Sequence, residues 1–359
     1  MKKIYVQAYC QKNLGDDLFV LTLAKRYPKF RFDIPVANSN STAFKNIKNI
    51  KCIKGIRWLI GRILNKYRIT RILFNIILKL KYHAFINIGG SIFIEAKSWK
   101  QKQENSIYPR YLIGANFGPY QTQEYFLAVK EELKKYQDVC FRDSYSCNLF
   151  QDLENVRYAP DVLFGYNDIM AKTYTQGIGI SVIALEKRKD LFEMKDQYYK
   201  TIADLCDLLI EKQVKVTLFS FCAFEGDNCA IQQILNRVKI KEKIRICSYN
   251  GDTEHFLGCF NECETIIATR FHAMILGWTL NKKVFPIIYS KKQLNVINDV
   301  KFKGVYWNLL EKVECYAQDI FWQVNNGEQR LVDIENIRNN SHMQFSAVDN
   351  FLTNSIYER

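Results

Sequence analysis

Two polar side chains lie in the otherwise apolar segment 265–278, and their types suit chemistry on an anion. Arg270 and His272 follow a β-branched run and precede an apolar stretch that ends at Trp278. The run predicts a short buried strand and the stretch after it a buried helix. In an open α/β sheet, the turn between two such elements is the usual ligand crevice, and its free N–H groups attract anions. The sequence therefore predicts a phosphate or carboxylate site beside a proton-transfer centre. A helix-capping Arg270 and a core His272 are the alternative.

Further polar or glycine-rich turns follow other predicted strands. The strand pattern at 83–91 ends in Gly90 and Ser91, and the pattern at 111–119 contains Asn116. Arg142 and Asp143 end the strand predicted at 139–143, where they could simply pair with each other. Because the carboxyl ends of parallel strands share one sheet edge, these side chains are expected to lie near a ligand.

The first predicted strand, residues 4–9, leads into a turn with the sequence Asn-Leu-Gly-Asp-Asp at 13–17. Gly15 permits a tight turn, and Asp16 or Asp17 can cap the helix that follows. A catalytic role for Asp16 and a capping role are both open at this point.

Composition limits the possible classes of protein. The chain has 359 residues, 48% of them hydrophobic and 25% charged, which predicts a globular protein of two domains. Its formal net charge of +14 favours anionic partners. No apolar run is long enough to cross a membrane, and the N-terminus does not resemble a signal peptide. The chain is therefore expected in the cytoplasm.

The cysteines do not form a recognisable metal motif. The chain contains eleven cysteines and four histidines but no C-x-x-C pair. Many unpaired cysteines are typical of a reducing compartment, and the spacing predicts neither a disulfide framework nor a metal site.

Residues 45–81 differ from the rest in composition. They contain eleven Lys or Arg residues, and no acid occurs between Asp33 and Glu95. Aliphatic residues and Trp58 alternate with these cations at near-helical spacing, which predicts one or two basic amphipathic helices. Such helices could contact an anionic inner-membrane surface, or could bury their apolar side in the N-terminal core. The lack of interleaved stacking aromatics argues against nucleic acid.

The remaining pattern alternates strands and helices, which predicts an α/β protein with doubly wound parallel sheets. The expected N-terminal domain is 1–165 and the expected C-terminal domain is 176–318, with a linker near 165–176. Residues 319–359 are expected to form a polar helical tail. Val284 to Tyr289 is expected to be the last strand.

The order of these motifs resembles that of the bacterial polysaccharide pyruvyl transferase family over about residues 4–300. The resemblance is carried by Asn13 to Asp17, Gly89 to Ser91, Gly118-Pro119, Arg142-Asp143 with Ser146, Thr269 to Ala273, and Tyr289 with Lys292. It implies two Rossmann-like domains that face each other across a cleft, as in B-type glycosyltransferases.

The resemblance also implies an activity. Family members transfer the enolpyruvyl group of phosphoenolpyruvate to a sugar of a capsule or exopolysaccharide repeat, often lipid-linked, and close a pyruvate ketal. No cofactor beyond this donor is implied. His272 would be the proton donor, and Asp16 or Asp143 would act on the acceptor hydroxyl. The substrate-binding residues would be Asn13, Gly90, Ser91, Asn116, Arg142, Ser181, Arg188, Arg270, Tyr289, Ser290 and Lys292.

One feature departs from the family pattern. Family members often carry an arginine just after the strand that opens the second domain, where this chain has Ile183-Ala184-Leu185. The nearest cations are Lys187 and Arg188. If neither reaches the donor, a different donor is favoured.

Two other functions fit the same sequence. A glycosyltransferase that uses a nucleotide sugar would also place a diphosphate at a helix N-terminus. A non-catalytic protein could bind anionic lipid or glycan through 45–81, in which case Arg270 and His272 would be dispensable.

Overall fold

The structure is a computed structural model that describes residues 1–53, 78–96, 99, 108–167 and 177–357. Contacts between residues divide the chain into two compact units. The first contains residues 1–10, 16–162 and 340–359, and the second contains residues 11–15 and 163–339. The domain bounds taken from the sequence stay a prediction. The linker near 165–176 lies mostly outside the described residues. Within the described ranges, no helix is long and apolar enough to cross a membrane.

The first unit is built on a parallel sheet of seven strands in the order β3-β2-β1-β4-β5-β6-β7. The order runs outward in both directions from β1 and β4, as in a doubly wound Rossmann-like sheet. The strands are β1 Lys3–Gln7, β2 Arg31–Pro35, β3 Ile50–Ile53, β4 Ala84–Ile88, β5 Arg110–Ala115, β6 Asp138–Phe141 and β7 Val156–Tyr158.

Helices cover the sheet because each places an apolar face on it. Leu14, Leu18 and Leu23 of the first helix are fully buried, as are Ile86 and Leu112 of the central strands. The helices of this unit are α1 Leu14–Arg26, α2 Gln123–Leu133, α3 Ser144–Leu149 and, after the second unit, α11 Ser346–Tyr357. Residues 14 and 15 of α1 belong to the second unit by their contacts.

The helical prediction for residues 45–81 is wrong at residues 50–53. These residues form β3, which pairs in parallel with β2, because Ile50 and Cys52 fall on one face of a strand and the exposed Lys51 on the other. Residues 78–81 are helical, whereas residues 54–77, including Trp58, lie outside the described residues.

The second unit repeats the arrangement with six parallel strands in the order β10-β9-β8-β11-β12-β13. These are β8 Gly177–Ser181, β9 Lys215–Ser220, β10 Ile244–Ser248, β11 Thr265–Ala268, β12 Lys283–Ile288 and β13 Trp307–Asn308. The expectation that residues 284–289 form the last strand is wrong, because the two-residue β13 pairs beyond β12. Two residues carry no alternation that a sequence could display.

Of the helices that the structure describes in the second unit, five lie in the connections between its strands, and two follow the last strand. These helices are α4 Lys195–Glu211, α5 Asp227–Leu235, α6 Thr253–Asn261, α7 Phe271–Thr279, α8 Lys291–Asp299, α9 Ala317–Asn326 and α10 Ile334–Ser341. The α7 helix is apolar on nearly all sides and only His272 among its residues is not buried. Because α7 is packed on nearly all sides, its position is well defined. The positions of Arg270 and His272 at its N-terminal end are therefore well defined too.

Candidate functional site

Arg270 lies where β11 ends and α7 begins, at the switch point of the second sheet. Its extended backbone, with φ −68° and ψ 134°, places it at the N-cap of α7. Its backbone N–H donates to the hydroxyl of Ser181 at 3.2 Å, and Ser181 is the last residue of the neighbouring strand β8. Ligands of doubly wound sheets bind at this point. The buried hydroxyl of Ser181 therefore positions Arg270.

The guanidinium of Arg270 is paired with two carboxylates. Its Nε donates to Asp227 at 2.9 and 3.1 Å, its Nη2 also reaches Asp227, and its Nη1 reaches Glu225. A guanidinium has five N–H donors, so these contacts leave one N–H on each Nη atom. Arg270 can thus offer a ligand two hydrogen bonds, but the two carboxylates already exceed its single positive charge.

Asp227 and Glu225 differ in their surroundings. Asp227 is fully buried and also accepts from the backbone N–H groups of Phe221 and Cys222, each at 2.9 Å. Burial raises the pKa of Asp227, although Arg270 opposes that shift. Burial acts in the same direction on Glu225, but Arg270, Lys292 and Arg188 together hold the pKa of Glu225 below its ordinary value. Asp227 therefore stabilises the turn after β9, whereas the ionised form of Glu225 is stabilised by the surrounding cations.

A pocket of about 260 Å³ opens beside Arg270. Lys187 and Arg188 both reach it, so two cations lie at the point where the sequence departs from the family pattern. The Nζ of Lys187 donates to the carbonyl of Phe224 at 3.1 Å, and the Phe224 ring is 66% exposed at the pocket. The lining residues are Ile183, Ala184, Lys187, Arg188, Phe224, Glu225 and Arg270.

Tyr289 lies among the cations of this site. The Arg188 guanidinium carbon lies 4.1 Å from the centre of the Tyr289 ring, and the Lys292 Nζ lies 5.7 Å from it. Burial alone would raise the pKa of Tyr289, but Lys292, Arg188 and Arg270 lower it below its ordinary value. The cluster of Lys187, Arg188, Arg270 and Lys292 with Glu225 and Asp227 contains four cations and two carboxylates, a net charge of +2. Its field favours anions.

A fully buried glutamine holds the two strand ends of this site together. The side-chain amide of Gln293 donates to the carbonyls of Thr269 at 3.0 Å and Ile287 at 3.2 Å. Its oxygen accepts from the backbone N–H of Tyr289 at 2.9 Å and from the Ser290 hydroxyl at 3.4 Å. Gln293 thus fixes Tyr289 relative to Arg270, and Ser290 serves this network as the N-cap residue of α8.

His272 lies in the first turn of α7, and its ring packs on the backbone of Gly15. A side-chain carbon at Gly15 would lie 1.7 Å from the Nδ1 of His272, so only glycine fits there. Asn13 shapes the same turn, because its Oδ1 accepts from the Gly15 N–H at 3.2 Å and its Nδ2 donates to Glu225 at 3.3 Å. Asn13, Gly15 and His272 therefore belong to one arrangement within the second unit.

The first unit brings four other predicted residues together at the carboxyl edge of its sheet. Arg142 donates to Asn116 at 2.7 Å and to the buried Asp161 at 3.0 Å. Ser91 donates to the same Asn116 oxygen at 3.4 Å. A side-chain carbon at Gly90 would lie 2.4 Å from Arg142, so the glycine admits the guanidinium. Arg142, Asn116 and Asp161 form a buried, charge-balanced hydrogen-bond network, and the exposed Ser91 lies beside it.

The two candidate acids of the first unit have different surroundings. Asp143 caps α3, accepting from the backbone N–H of Ser146 at 2.9 Å and from its hydroxyl at 3.0 Å. Asp16 is 8% exposed and lies near Gly89, whose added side-chain carbon would be 3.5 Å from the Asp16 Oδ1. The contacts of Asp143 explain a structural role, whereas Asp16 borders the edge that carries Gly90.

Three residues of the site were not predicted. Glu225 and Asp227 follow β9 just as Arg270 follows β11, so the rule that identified Arg270 could have found them. Gln293 could not be identified from the sequence, because a glutamine at the third position of a helix is usually exposed to solvent.

The fold of both units is that of B-type glycosyltransferases, as comparison with solved structures shows. UDP-GlcNAc 2-epimerase from Methanocaldococcus jannaschii has a TM-score of 0.58 and 10% identity over 98% of this chain and 99% of its own. HepE from Anabaena, in complex with UDP and glucose, has a TM-score of 0.55 and 10% identity over 100% of both chains. MurG from Acinetobacter baumannii has a TM-score of 0.50 and 11% identity over 98% and 100%.

The chain belongs to the polysaccharide pyruvyl transferase family, which its residues 13–291 match. That span contains Asn13, the pocket cations and Lys291, the first residue of α8. None of the curated proteins matches the sequence. Family and fold together define a transferase that acts in polysaccharide biosynthesis.

Proposed function

We propose that this protein transfers the enolpyruvyl group of phosphoenolpyruvate to a sugar of a capsule or exopolysaccharide repeat and closes a pyruvate ketal. The observation that carries the proposal is the pocket of the second unit, with its net charge of +2. Family membership supplies the reaction class. The proposed reaction needs no cofactor beyond the donor.

The charge of the pocket suits the donor's phosphate and carboxylate. Lys187, Arg188 and Lys292 add three positive charges beside Arg270, which contacts both Glu225 and Asp227, and the six groups together carry a net charge of +2. In this proposal, Arg188 and Lys292 bind the anionic groups, and the remaining N–H donors of Arg270 orient them.

Pocket size also favours a small donor. A volume of about 260 Å³ lies below the range of roughly 300–1,000 Å³ that is typical of drug-sized ligands. Phosphoenolpyruvate is a three-carbon phosphate and is much smaller than a nucleotide sugar. The volume therefore favours phosphoenolpyruvate within this pocket.

The proposed chemistry starts with a proton from His272. The imidazolium protonates the methylene carbon of phosphoenolpyruvate, which leaves cationic character at the adjacent carbon. A sugar hydroxyl adds to that carbon, phosphate departs with the electrons of its C–O bond, and a second hydroxyl closes the ring. Of the two hydroxyl protons, one restores His272 and the other leaves with phosphate. The donor's negative charge favours the imidazolium.

The acceptor is proposed to bind at the polar edge of the first unit. Asn116, Ser91 and Arg142 form a hydrogen-bonded group there, and amide and hydroxyl groups are ordinary partners of sugar hydroxyls. Asp16, which borders Gly89, is the proposed acceptor base.

The decisive experiment supplies phosphoenolpyruvate and lipid-linked glycan extracts to the purified protein. We expect release of inorganic phosphate and a glycan that gains one pyruvate ketal by mass spectrometry. In heavy water, solvent deuterium enters the methyl group of the ketal. A protein that releases no phosphate from phosphoenolpyruvate with any acceptor fraction contradicts the proposal.

A nucleotide-sugar-dependent glycosyltransferase is the second candidate. HepE is similar to this chain in fold and was solved with UDP and glucose, and the exposed Phe224 ring offers a flat surface on which a base could stack. This function predicts release of a nucleoside diphosphate instead of phosphate. Thermal stabilisation by UDP-sugars, with none by millimolar phosphoenolpyruvate, would favour it.

The basic segment 45–81 is proposed to hold the enzyme against an anionic membrane surface, where a lipid-linked acceptor resides. Each cation near such a surface contributes about 1 kcal/mol, so several acting together suffice for reversible binding. Vesicle sedimentation should show binding that needs anionic lipid and weakens with salt. The variant carries Gln at Lys48, Lys51, Lys54 and Arg57, and its control carries Gln at Lys212, Lys215, Lys241 and Lys243. Equal binding by the two variants would remove this role.

A further inference from the structure

A group of sulfur and nitrogen ligands lies at the far edge of the second sheet, apart from the cation pocket. Cys247 is near the end of the edge strand β10, and His255 and Cys259 lie one turn apart on α6. One ligand atom from each lies within 4.8 Å of the other two. Within the described part of the chain, this is the one group of three His, Cys, Asp or Glu residues that could hold a metal ion.

The distance between the Cys259 and His255 ligand atoms matches one edge of a tetrahedral site. The Sγ of Cys259 lies 3.7 Å from the Nε2 of His255. Bond lengths of about 2.3 Å to sulfur and 2.0–2.1 Å to nitrogen put these two atoms roughly 3.6 Å apart in a tetrahedral zinc site. The ring and the thiol therefore need little movement to share an ion.

The surroundings suit a bound divalent cation. Cys247 and Cys259 are buried, whereas His255 is exposed, which leaves a route for a metal and a water ligand. The Nη2 of Arg245 donates to the Cys259 Sγ at 2.9 Å, and its Nη1 is paired with Glu262 at 2.6 Å. A donor to a ligand sulfur stabilises the thiolate and orients it, as is usual for groups around a metal site.

We propose that Cys247, His255 and Cys259 bind one thiophilic divalent cation of the Zn²⁺ class, with water in the fourth position. Two thiolates and a neutral imidazole balance the charge of the ion, and the donor set favours zinc over oxygen-preferring cations. The ion would tie the edge strand β10 to α6. This role is separate from the donor site and does not depend on the proposed reaction.

The sequence predicted no metal site because it lacks paired cysteines at short spacing, and that prediction remains untested. His255 and Cys259 have the i, i+4 spacing that puts two side chains on one helix face. Cys247 precedes His255 by eight residues. Its side chain lies near those of His255 and Cys259 only because the chain turns at Gly251 between β10 and α6.

The test uses the full chain, reduced and treated with a chelator, and titrates it with Co²⁺ and then Zn²⁺. We expect one equivalent of Co²⁺ to give the thiolate charge-transfer and tetrahedral d–d absorption bands, which Zn²⁺ then abolishes. Because His255 is exposed, His255→Ala should fold normally while weakening binding by about a hundredfold or more, since even a partner of a ligand costs 10–100-fold. Cys259→Ser should roughly halve the intensity of the charge-transfer band at saturating Co²⁺, because only the Cys247 thiolate remains.

The chain offers a matched control for general thiol binding. Cys229 is exposed and lies outside the group, so Cys229→Ser should leave the spectrum and the stoichiometry unchanged. His255→Ala keeps all eleven cysteines and thus separates this site from nonspecific thiol binding. The absence of a charge-transfer band in the wild type, or an unchanged titration in His255→Ala, overturns the proposal.

Discussion

Each unit places a buried arginine at the carboxyl edge of its sheet, but the two arginines have different neighbours. Arg142 follows β6 and is 2% exposed, and its ion pair is with one carboxylate, Asp161. Arg270 follows β11 and is 6% exposed, and it pairs with two carboxylates beside three further cations. At the first edge, Arg142, Asp161 and Asn116 form a charge-balanced hydrogen-bonding network, whereas the group around Arg270 carries a net positive charge and borders a pocket.

The difference shows that topology places a polar side chain and that neighbouring residues decide its use. Both arginines occupy the same kind of position after a parallel strand. A balanced buried pair contributes shape and hydrogen bonding, because its field cancels at short range. An excess of charge beside a cavity attracts an anion. The balanced pair at the first edge therefore suits uncharged polar groups, and the second edge suits an anion, as the proposed function requires.

The largest expected effect is common to both edges and concerns stability. Arg142→Met and Arg270→Met should each lower the free energy of unfolding by about 3–5 kcal/mol, because each leaves a buried carboxylate unpaired. Arg237→Met, which breaks an exposed pair with Asp196, should cost less than about 1 kcal/mol. Urea unfolding followed by circular dichroism measures all three.

The double variant Arg142→Met with Asp161→Leu should recover a large part of the loss, since a buried ion pair can be replaced by apolar packing. Arg270→Met with Asp227→Leu should not recover, because Glu225 and the N–H groups of Phe221 and Cys222 lose their partners. Equal recovery at the two edges would break the comparison.

The next effect separates proton transfer from donor binding. His272→Asn should lower turnover by roughly a hundredfold, the usual scale for a lost general acid, while phosphoenolpyruvate binding by calorimetry is unchanged. Gly15→Ala should act in the same direction, because its added carbon displaces the imidazole. Near-normal turnover in His272→Asn would show that another group donates the proton.

A smaller effect tests the cations at the pocket. Arg188→Gln should weaken phosphoenolpyruvate binding by roughly ten- to a hundredfold, as expected for a charged hydrogen bond worth about 1.5–3 kcal/mol. Lys189→Gln removes the same charge from an exposed neighbour outside the pocket and should change affinity by less than about threefold. If the two variants weaken binding equally, Arg188 does not contact the donor, and overall charge accounts for the affinity.

The smallest effect is a pH dependence at Glu225. Its pKa is lowered in the folded state, so its carboxylate stabilises the fold above the unfolded pKa of about 4.3. That contribution, about 1 kcal/mol or less because Glu225 is partly exposed, is lost as pH falls through the folded pKa. The stability difference between wild type and Glu225→Gln should therefore be largest near neutral pH and shrink toward zero below about pH 4.

The sequence predicted the architecture because alternating strands and helices have distinct periods. It placed Arg270, Arg142 and Asn116 at strand ends, where the structure has them. It failed at β3, where eleven cations in 45–81 obscured a four-residue alternation, and at the two-residue β13. The sequence also could not predict which carboxylates pair with the two arginines. Glu225 is 45 residues from Arg270, and Asp161 is 19 residues from Arg142.

The fully buried Gln293 has a consequence for how the site around Arg270 can evolve. One side chain satisfies the carbonyls of Thr269 and Ile287 and the N–H of Tyr289, so its replacement would have to serve three backbone groups at once. Substitutions at Gln293 are therefore expected to be rare, and the backbone that it bonds is expected to keep its conformation among relatives. Lys187 and Phe224 lie outside that backbone, on short turns at the pocket rim. Relatives that accept a different donor are expected to differ first at these rim positions, and laboratory evolution of donor specificity should start there.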